Sequence, residues 1–334
     1  MNGDLGRIDG GAGIAIKKPC VELSAEISED MNLPDKRLEE ACSRVLKHYR
    51  IKGGARLDFQ NIPQSHVGLG SRTQMTLAAS AAITRLYGIK ASVRELAFIA
   101  GRGGTSGIGV CAFERGGFIV DGGHPKSAKP RFLPSSFSKA EPPPVLARYD
   151  FPDWPVTCII PKLPAVEGLK EKSIFDEYCP INKREVETLS RLVLMRLMPA
   201  VLEKDIDGFG DAINQMQNMA FKRIETSLRG DTILELLCFL QKNSRGAGMS
   251  SFGPLCYSFS KNKAEAKKLE KHLRDYASRN FDKYVLFTTK ADNDGAKSTT
   301  KADNDGAKST TKADNDGAKS TTKAHNDGTE TKKR

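Results

Sequence analysis

The sequence holds no apolar run approaching the ~20 residues that span a bilayer. Its opening, MNGDLGRIDGG, has no basic stretch leading into an apolar one,. Membrane insertion and export are therefore not expected, and the expected compartment is the cytoplasm. No Cys-x-x-Cys pair occurs: the seven cysteines are odd in number, widely spaced and set in apolar text such as VTCII and LLCFL. With five scattered histidines, this pattern argues against a zinc site or a disulfide framework and fits reduced thiols. Aromatics are 7% of the 334 residues, with a single tryptophan. No helix-turn-helix pattern, RNP motif or GXXG clamp accompanies the net charge of +11, so that charge does not by itself indicate nucleic acid,. No nucleic-acid and no membrane partner is expected, and an anionic small molecule remains as a reason for the basic bias.

The C-terminal stretch has nothing more apolar than alanine. TTKADNDGAKS begins at Thr288, recurs from Thr299 and Thr310, and decays into TTKAHNDGTET from Thr321. An 11-residue period can mark a right-handed coiled coil, but only with an apolar seam. From Thr288 to the end there are ten basic and eight acidic residues, leaving 42 of the 52 basic and 33 of the 41 acidic residues on the rest. Residues 288–334 are accordingly expected to form a disordered, near-neutral tail, and the basic bias belongs to the body.

The body mixes two periodicities. VELSAEI from Val21 and RLDFQNI from Arg56 alternate like half-buried strands, with a helix expected over residues 35–50 between them,. FIVDGG from Phe118 and PVTCII from Pro155 read as further strands, and after Asn182 the apolar spacing turns helical,. LCYSF, KAEAKKLEKHLRDYA and KYVLF close the body as strand, helix and strand. The Pro-rich stretch from Pro125 to Pro155 is the expected linker or surface excursion,. The reading is α+β with two lobes, 1–150 and 151–287.

Three glycine-rich segments carry the candidate chemistry. In IPQSHVGLGSRTQ, Gly68 and Gly70 permit tight backbone geometry, while Ser71 and Gln74 form a capping-box pattern before an Ala-rich helix,. Such a turn aims free N–H groups at one point with the positive end of a helix dipole behind them, a phosphate cradle to which Arg72 adds a charge. An ordinary capped glycine turn would look the same. The segment is neither a Walker loop, lacking Gly-Lys-Ser/Thr, nor a dinucleotide fingerprint, lacking the third glycine. GRGGTSGIGV from Gly101 and SRGAGMSSFGP from Ser244 add backbone donors and two more arginines, Arg102 and Arg245. Hairpin and helix-stop glycines are the bland alternative.

The order IPQSHVGLGSRTQ, helix, GRGGTSGIG and GAGMSSFGP resembles the motifs of the GHMP kinases, which include galactokinase, homoserine kinase and mevalonate kinase. More narrowly, LGRIDGGAGIAI, GLGSRTQ, GRGGTSGIGVCAFERGGFIVDGGH and SRGAGMSSFGPLCYSF resemble the β-ribofuranosylaminobenzene 5'-phosphate synthases, a methanopterin-pathway branch of that superfamily. The resemblance covers nearly residues 1–287 and leaves out the repeats. It implies a GHMP-kinase-like fold, with a small-ribosomal-protein-like N-terminal lobe and a ferredoxin-like C-terminal lobe. It also implies condensation of 5-phosphoribosyl 1-pyrophosphate with 4-hydroxybenzoate or 4-aminobenzoate, releasing carbon dioxide and pyrophosphate. Mg²⁺ and a homodimer belong to the same expectation.

On that resemblance Arg7, Asp9 and Asp121 are the candidate catalytic residues. Gly68, Gly70, Ser71, Arg72, Thr73, Gln74, Arg102, Gly103, Gly104, Thr105, Ser106, Gly246, Gly248, Ser250 and Ser251 are the candidate phosphate and substrate contacts. His66 and His124 stand as a proton carrier or as turn residues. Family members usually carry a further strand, of P-x-R-L-H type and ending in an acidic residue, before the segment that starts here at Met1; the expectation is that either the start is placed too far downstream or an edge strand and a carboxylate are lost. The rivals are an ATP-dependent small-molecule kinase on the same fold and a nucleic-acid or partner-binding protein. Arg72-Thr73-Gln74, in place of a second serine and small residues, favours the synthase.

Overall fold

The computed structural model describes residues 1–313, apart from 34, 36, 37, 136, 167, 304 and 305, and gives positions 168 and 300–313 by their backbone alone. The first elements are β1 (Arg7–Ile8), β2 (Gly11–Ile14), β3 (Val21–Ser28), α1 (Glu39–His48), β4 (Gly54–Asn61), α2 (Ser71–Leu86), α3 (Val93–Ile99) and α4 (Ile108–Arg115). There follow β5 (Phe118–Asp121), β6 (His124–Pro125), β7 (Val145–Tyr149), β8 (Val156–Pro161), α5 (Gly168–Tyr178) and α6 (Lys183–Leu192). A π-type turn, Val193–Leu197, leads into α7 (Met198–Glu203), α8 (Ile206–Gln217), α9 (Ala220–Ser227) and α10 (Asp231–Asn243). The chain closes with β9 (Gly246–Met249), β10 (Cys256–Phe259), α11 (Lys263–Asn280), β11 (Tyr284–Thr289), β12 (Lys297–Asp303) and β13 (Gly306–Ala313).

The alternation in β3 does what its pattern predicts. Val21, Leu23 and Ala25 are buried and, with Ala55 and Leu57 of β4, face α2. That helix is buried nearly all round: Leu77, Ala78, Ala79, Ala82 and Ile83 are 0% exposed, and the alanines let the sheet and neighbouring helices approach closely,. α1 carries Glu39 and Glu40 in its first turn and Lys47 and His48 in its last, matching the helix dipole,.

A four-stranded antiparallel sheet, in the order β11-β8-β10-β9, forms the second half. The uninterrupted VTCII run is explained by burial on both faces of β8. Val156, Cys158 and Ile160 join the aromatic cluster around Phe209, Phe151, Trp154 and Phe259, while Ile159 faces Leu236, Leu240, Leu269 and Leu273 of α10 and α11. On the first side Gly210 of α8 meets Gly246 of β9 so closely that a Cβ at Gly210 would lie 1.6 Å from Arg245 O. Phe118 and Val120, from before residue 150, lie in the same buried cluster as Phe151 and Trp154.

Two expectations need correction. The stretch from Pro125 to Pro155 is not a free excursion: it contributes β7, paired antiparallel to β5 in the order β2-β5-β7, and its Ser138–Pro143 part covers the glycines at 103, 104 and 107. The disordered-tail reading also fails over residues 288–313. Thr288 and Thr289 belong to β11, Asp292 is 0% exposed, and β13 pairs antiparallel with β3, with β12 outside it. Composition missed this because the segment is held mainly by hydrogen bonds to backbone edges, with only Ala291 and Ala296 adding apolar contact. The remainder of the tail, 314–334, lies outside the described residues.

Candidate active site

The segment LGRIDGGAGI is folded around Asp9. β1 pairs with β6, setting Ile8 opposite His124, and β2 pairs with β5, setting Gly11 opposite Asp121. Asp9 sits in the turn between, with a left-handed φ of 63°. The two short ladders therefore bring Asp9, Asp121 and His124 into one buried space. Arg7 is exposed and clamps the outside of the same turn, donating from Nε to Gly122 O at 2.9 Å and from Nη2 to Gly123 O at 2.7 Å.

Asp9 is 6% exposed, and its Oδ2 faces two partners: His124 Nδ1 at 2.6 Å and Lys129 Nζ at 2.8 Å. The other nitrogen of the His124 ring meets Glu141 O at 2.9 Å; a carbonyl only accepts, so Nε2 carries a proton,. Lys129 is 2% exposed, and its three N–H donors are all used, on Asp9, on Thr105 Oγ1 at 3.2 Å and on Leu133 O at 3.0 Å,. Burial lowers the Lys129 pKa while Asp9 opposes that shift. Asp9 Oδ1 is buried with no hydrogen-bond partner among the described residues. Lys129 was not singled out from the sequence; a lysine in the Pro-rich text PKSAKP gives no periodic signal.

Asp121, 0% exposed, has both oxygens engaged. Oδ1 accepts from Gly123 N at 3.1 Å, and Oδ2 from Ser106 Oγ at 3.1 Å and Gly107 N at 2.9 Å. Burial raises its pKa, and the Gly123, Gly107 and Ser106 hydrogen bonds oppose that. The carboxylate thus ties the Thr105–Gly107 turn, at the start of α4, to the strand carrying the acidic cluster.

The GLGS turn lies beside the third glycine segment. Gly68, at φ +101°, accepts from Ser250 Oγ at 2.7 Å, and a Cβ on it would stand 2.5 Å from Ser250 O. Ser251 is exposed at the same turn, where Lys222 Nζ donates to its carbonyl at 2.9 Å. The capping box expected at Ser71 and Gln74 is absent: the helix begins at Ser71, so the cap is Gly70, which takes a left-handed φ of 66° and has no side chain to cap with,. Ser71 Oγ instead donates to Gln64 O at 3.1 Å, and Gln74 Nε2 to Gly109 O at 2.8 Å, which ties α2 to α4. Arg72 is exposed at the first turn of α2. Arg102 reaches it from the second loop, holding Thr73 Oγ1 from Nη2 at 2.9 Å, and its pKa falls to about 10 through burial and then the Arg72 charge, against Glu171.

Not every candidate joins this group at its surface. Gly103 and Gly104 are buried under Pro142 and Ser138. Gly246 and Gly248 lie inside β9 rather than in a loop, against Gly210 and Gln217. Their segment's arginine, Arg245, pairs with Glu265 at 2.6 Å and Asp207 at 3.1 Å. His66 takes a left-handed φ of 59° beside the GLGS turn. A surface hollow lined by Thr84, Arg85, Ile89 and Phe113 contains none of the candidate residues.

The GHMP kinases N terminal domain model matches residues 36–117. Among solved structures, homoserine kinase from Cytophaga hutchinsonii superposes with a TM-score of 0.61 at 16% identity, covering 85% of this chain and 90% of that one. Mevalonate kinase from L. major, in complex with R-mevalonate, gives 0.60 at 14% identity over 85% and 90%. These likenesses establish the fold. Closer in sequence are proteins named β-ribofuranosylphenol 5'-phosphate synthase. The one from Methanothermobacter thermautotrophicus is 44% identical over 274 residues, 77% of this chain and 83% of its own length. Those from Archaeoglobus fulgidus and Methanocaldococcus jannaschii are each 40% identical, over 89% of this chain and 94% and 95% of their own lengths. With that identity over most of its length, and with the α+β GHMP fold beneath it, the chain belongs to the β-ribofuranosylphenol 5'-phosphate synthase family and is an enzyme of the pentosyltransferase type.

Proposed function

We propose that the chain joins 5-phosphoribosyl 1-pyrophosphate to a para-substituted benzoate, releasing carbon dioxide and pyrophosphate, as a step in tetrahydromethanopterin biosynthesis. The observation that carries an anionic substrate is the approach of Arg72 and Arg102. Arg102 holds Thr73 Oγ1 at the first turn of α2 from Nη2 at 2.9 Å, burial and then the Arg72 charge lower its pKa, and an anion at the positive end of this 16-residue helix offsets the repulsion that the Arg72 charge exerts on Arg102. The relatives are named for a phenol product, which favours 4-hydroxybenzoate over 4-aminobenzoate.

The electronic course follows from the substrate. The para hydroxyl pushes density onto the ring carbon that bears the carboxylate, and this carbon attacks the anomeric carbon as pyrophosphate departs. Loss of carbon dioxide then returns the bonding pair to the ring and restores aromaticity. The protein's part is to align the two reactants and stabilise the leaving charge. In this reading Arg72, Arg102 and the first-turn amides of α2 hold phosphates, and Arg7, exposed on the Asp9 turn, receives the benzoate carboxylate. Asp121 positions the Thr105–Gly107 turn. Asp9, with Oδ1 lacking a donor, is the proposed acceptor for a substrate hydroxyl or a water.

The carboxylates do not fit a dedicated Mg²⁺ cage. Asp121 is taken by three donors, Lys129 and His124 occupy Asp9 Oδ2, and no cluster of three or more potential ligands occurs among the described residues. Mg²⁺ therefore belongs in this proposal only as a companion of the substrate diphosphate, and no step is routed through it. Ring-carboxyl-labelled 4-hydroxybenzoate incubated with 5-phosphoribosyl 1-pyrophosphate should release label as carbon dioxide in step with pyrophosphate. Label retention, with phosphate transfer from ATP to a small molecule, would replace this reading with a kinase.

A further inference from the structure

The first repeat is recognised residue by residue by the body of the protein. Past β2 the chain runs on through Ala15 to Lys17, and the repeat lies antiparallel beside it. Lys17 N donates to Lys290 O at 2.8 Å, Asp292 N donates to Ala15 O at 2.9 Å, and Ile16 bridges Ala291. On the other side Gly117 N donates to Asp292 O at 2.6 Å. The Asn293 side chain acts as a strand partner for Phe151, its Oδ1 accepting from Phe151 N at 2.8 Å and its Nδ2 donating to Phe151 O at 3.0 Å. The buried Asp292 carboxylate folds the segment back on itself, accepting from Asp294 N and Gly295 N, both at 3.1 Å. Ala296 N closes the run on Phe113 O at 2.7 Å.

The heptapeptide so held, KADNDGA at 290–296, recurs unchanged at 301–307 and 312–318. The neighbouring octapeptide GAKSTTKA, which forms β13 at 306–313, recurs at 295–302 and 317–324. In β13 it sets Lys308 opposite Glu26 and Lys312 opposite Glu22, a register that a one-residue slip would destroy. A slip of 11 residues instead presents the same residue at every position, both to the groove and to the β3 edge.

We infer that the groove between Ala15–Lys17, Gly117 and Phe151 is a peptide-binding site for KADNDGA, and that the second and third copies are alternative occupants. The tail is a clasp with spares. It braces the strand that leaves Asp9, and it re-engages one period further on when the first copy is lost. Looping out 11 residues disfavours the shifted state by roughly 30- to 40-fold, from the three-halves-power dependence of loop closure on length, so the first copy dominates while it is intact.

The experiment replaces KADNDGA with a Gly-Ser linker of equal length, either at 290–296 alone or in the first three copies together with the related KAHNDGT at 323–329. Hydrogen exchange at the Gly117 amide and thermal melting are the readouts. With the first copy alone replaced, Gly117 protection should fall by no more than roughly 30- to 40-fold and melting should stay cooperative. With every copy replaced, protection should collapse, and synthetic TTKADNDGAKS added in trans should raise the melting temperature. Equal loss of Gly117 protection in the two variants, including failure of both to fold, would overturn the inference. So would full protection with no copy left.

Discussion

Lys129 Nζ stands 2.8 Å from Asp9 Oδ2, with both side chains 2% exposed. An ion pair this far from water is held together by its partners, and removing one side strands the other. Lys129→Met should destabilise the protein by about 3–5 kcal/mol, as for other broken buried pairs. The double variant Asp9→Asn with Lys129→Met should recover part of that loss. Urea unfolding of the three proteins is the measurement, and a single-variant loss below about 1 kcal/mol, the range of exposed pairs, would mean that the pair is not buried in solution.

Arg72 is exposed at the first turn of α2 and lies beside Arg102. Arg72→Ala should raise the KM for 5-phosphoribosyl 1-pyrophosphate by roughly tenfold or more, in line with about 1.5–3 kcal/mol for a hydrogen bond to a charged group. The melting temperature should be unchanged. An unaltered KM with normal stability would return the GLGS turn to a purely architectural role.

Gly68 combines a φ of +101° with a position at which an added Cβ would stand only 2.5 Å from Ser250 O. Gly68→Ala should therefore cost about 1–3 kcal/mol through backbone strain and push the turn away from Ser250. Lower kcat/KM together with lower stability is expected from steady-state assays and melting curves. Normal values for both would contradict the close approach.

Truncation after Phe287 removes the last pairs of β11 and the docked repeat. The melting temperature should drop by at least about 5 °C, on a scale of roughly 2–4 °C per kcal/mol for a chain of this order. Composition alone predicts no change, so a scanning calorimetry comparison separates the two readings.

Asp292 gives the clasp a pH signature. Burial raises its pKa from 3.8 to about 6, against the hydrogen bonds from Asp294 and Gly295. Between those values the folded state binds more protons than the unfolded one, so its contribution is fully present below pH 3.8 and is lost as the pH rises through about 6,. Denaturation across that window should show a falling component in the natural chain that Asp292→Asn removes. Parallel profiles for the two proteins would show that Asp292 does not titrate in this way.

Local pattern determined a good deal of this protein. Alternation at Val21–Ile27 and Arg56–Asn61, the apolar run at Val156–Ile160 and the 3.6-residue spacing after Asn182 each report which face a segment buries, and that is a property of neighbouring residues. The glycine segments were legible for a similar reason, since turn chemistry shows in the text itself, whereas Asp9 and Asp121 were candidates only through the family resemblance. Tertiary structure decided what depends on residues far apart. Lys129 is held as a buried cation because Asp9, Thr105 and Leu133 each accept a hydrogen bond from its ammonium group, and Gly248 lies in a strand because β9 pairs with β10 in the sheet that also takes in the distant β8. The same holds for the repeats: their composition offers nothing more apolar than alanine, yet Ala291 joins the core cluster, and Asp292 and Asn293 are held because open backbone edges at Ala15, Gly117 and Phe151 supply hydrogen bonds that hydrophobic patterning does not encode.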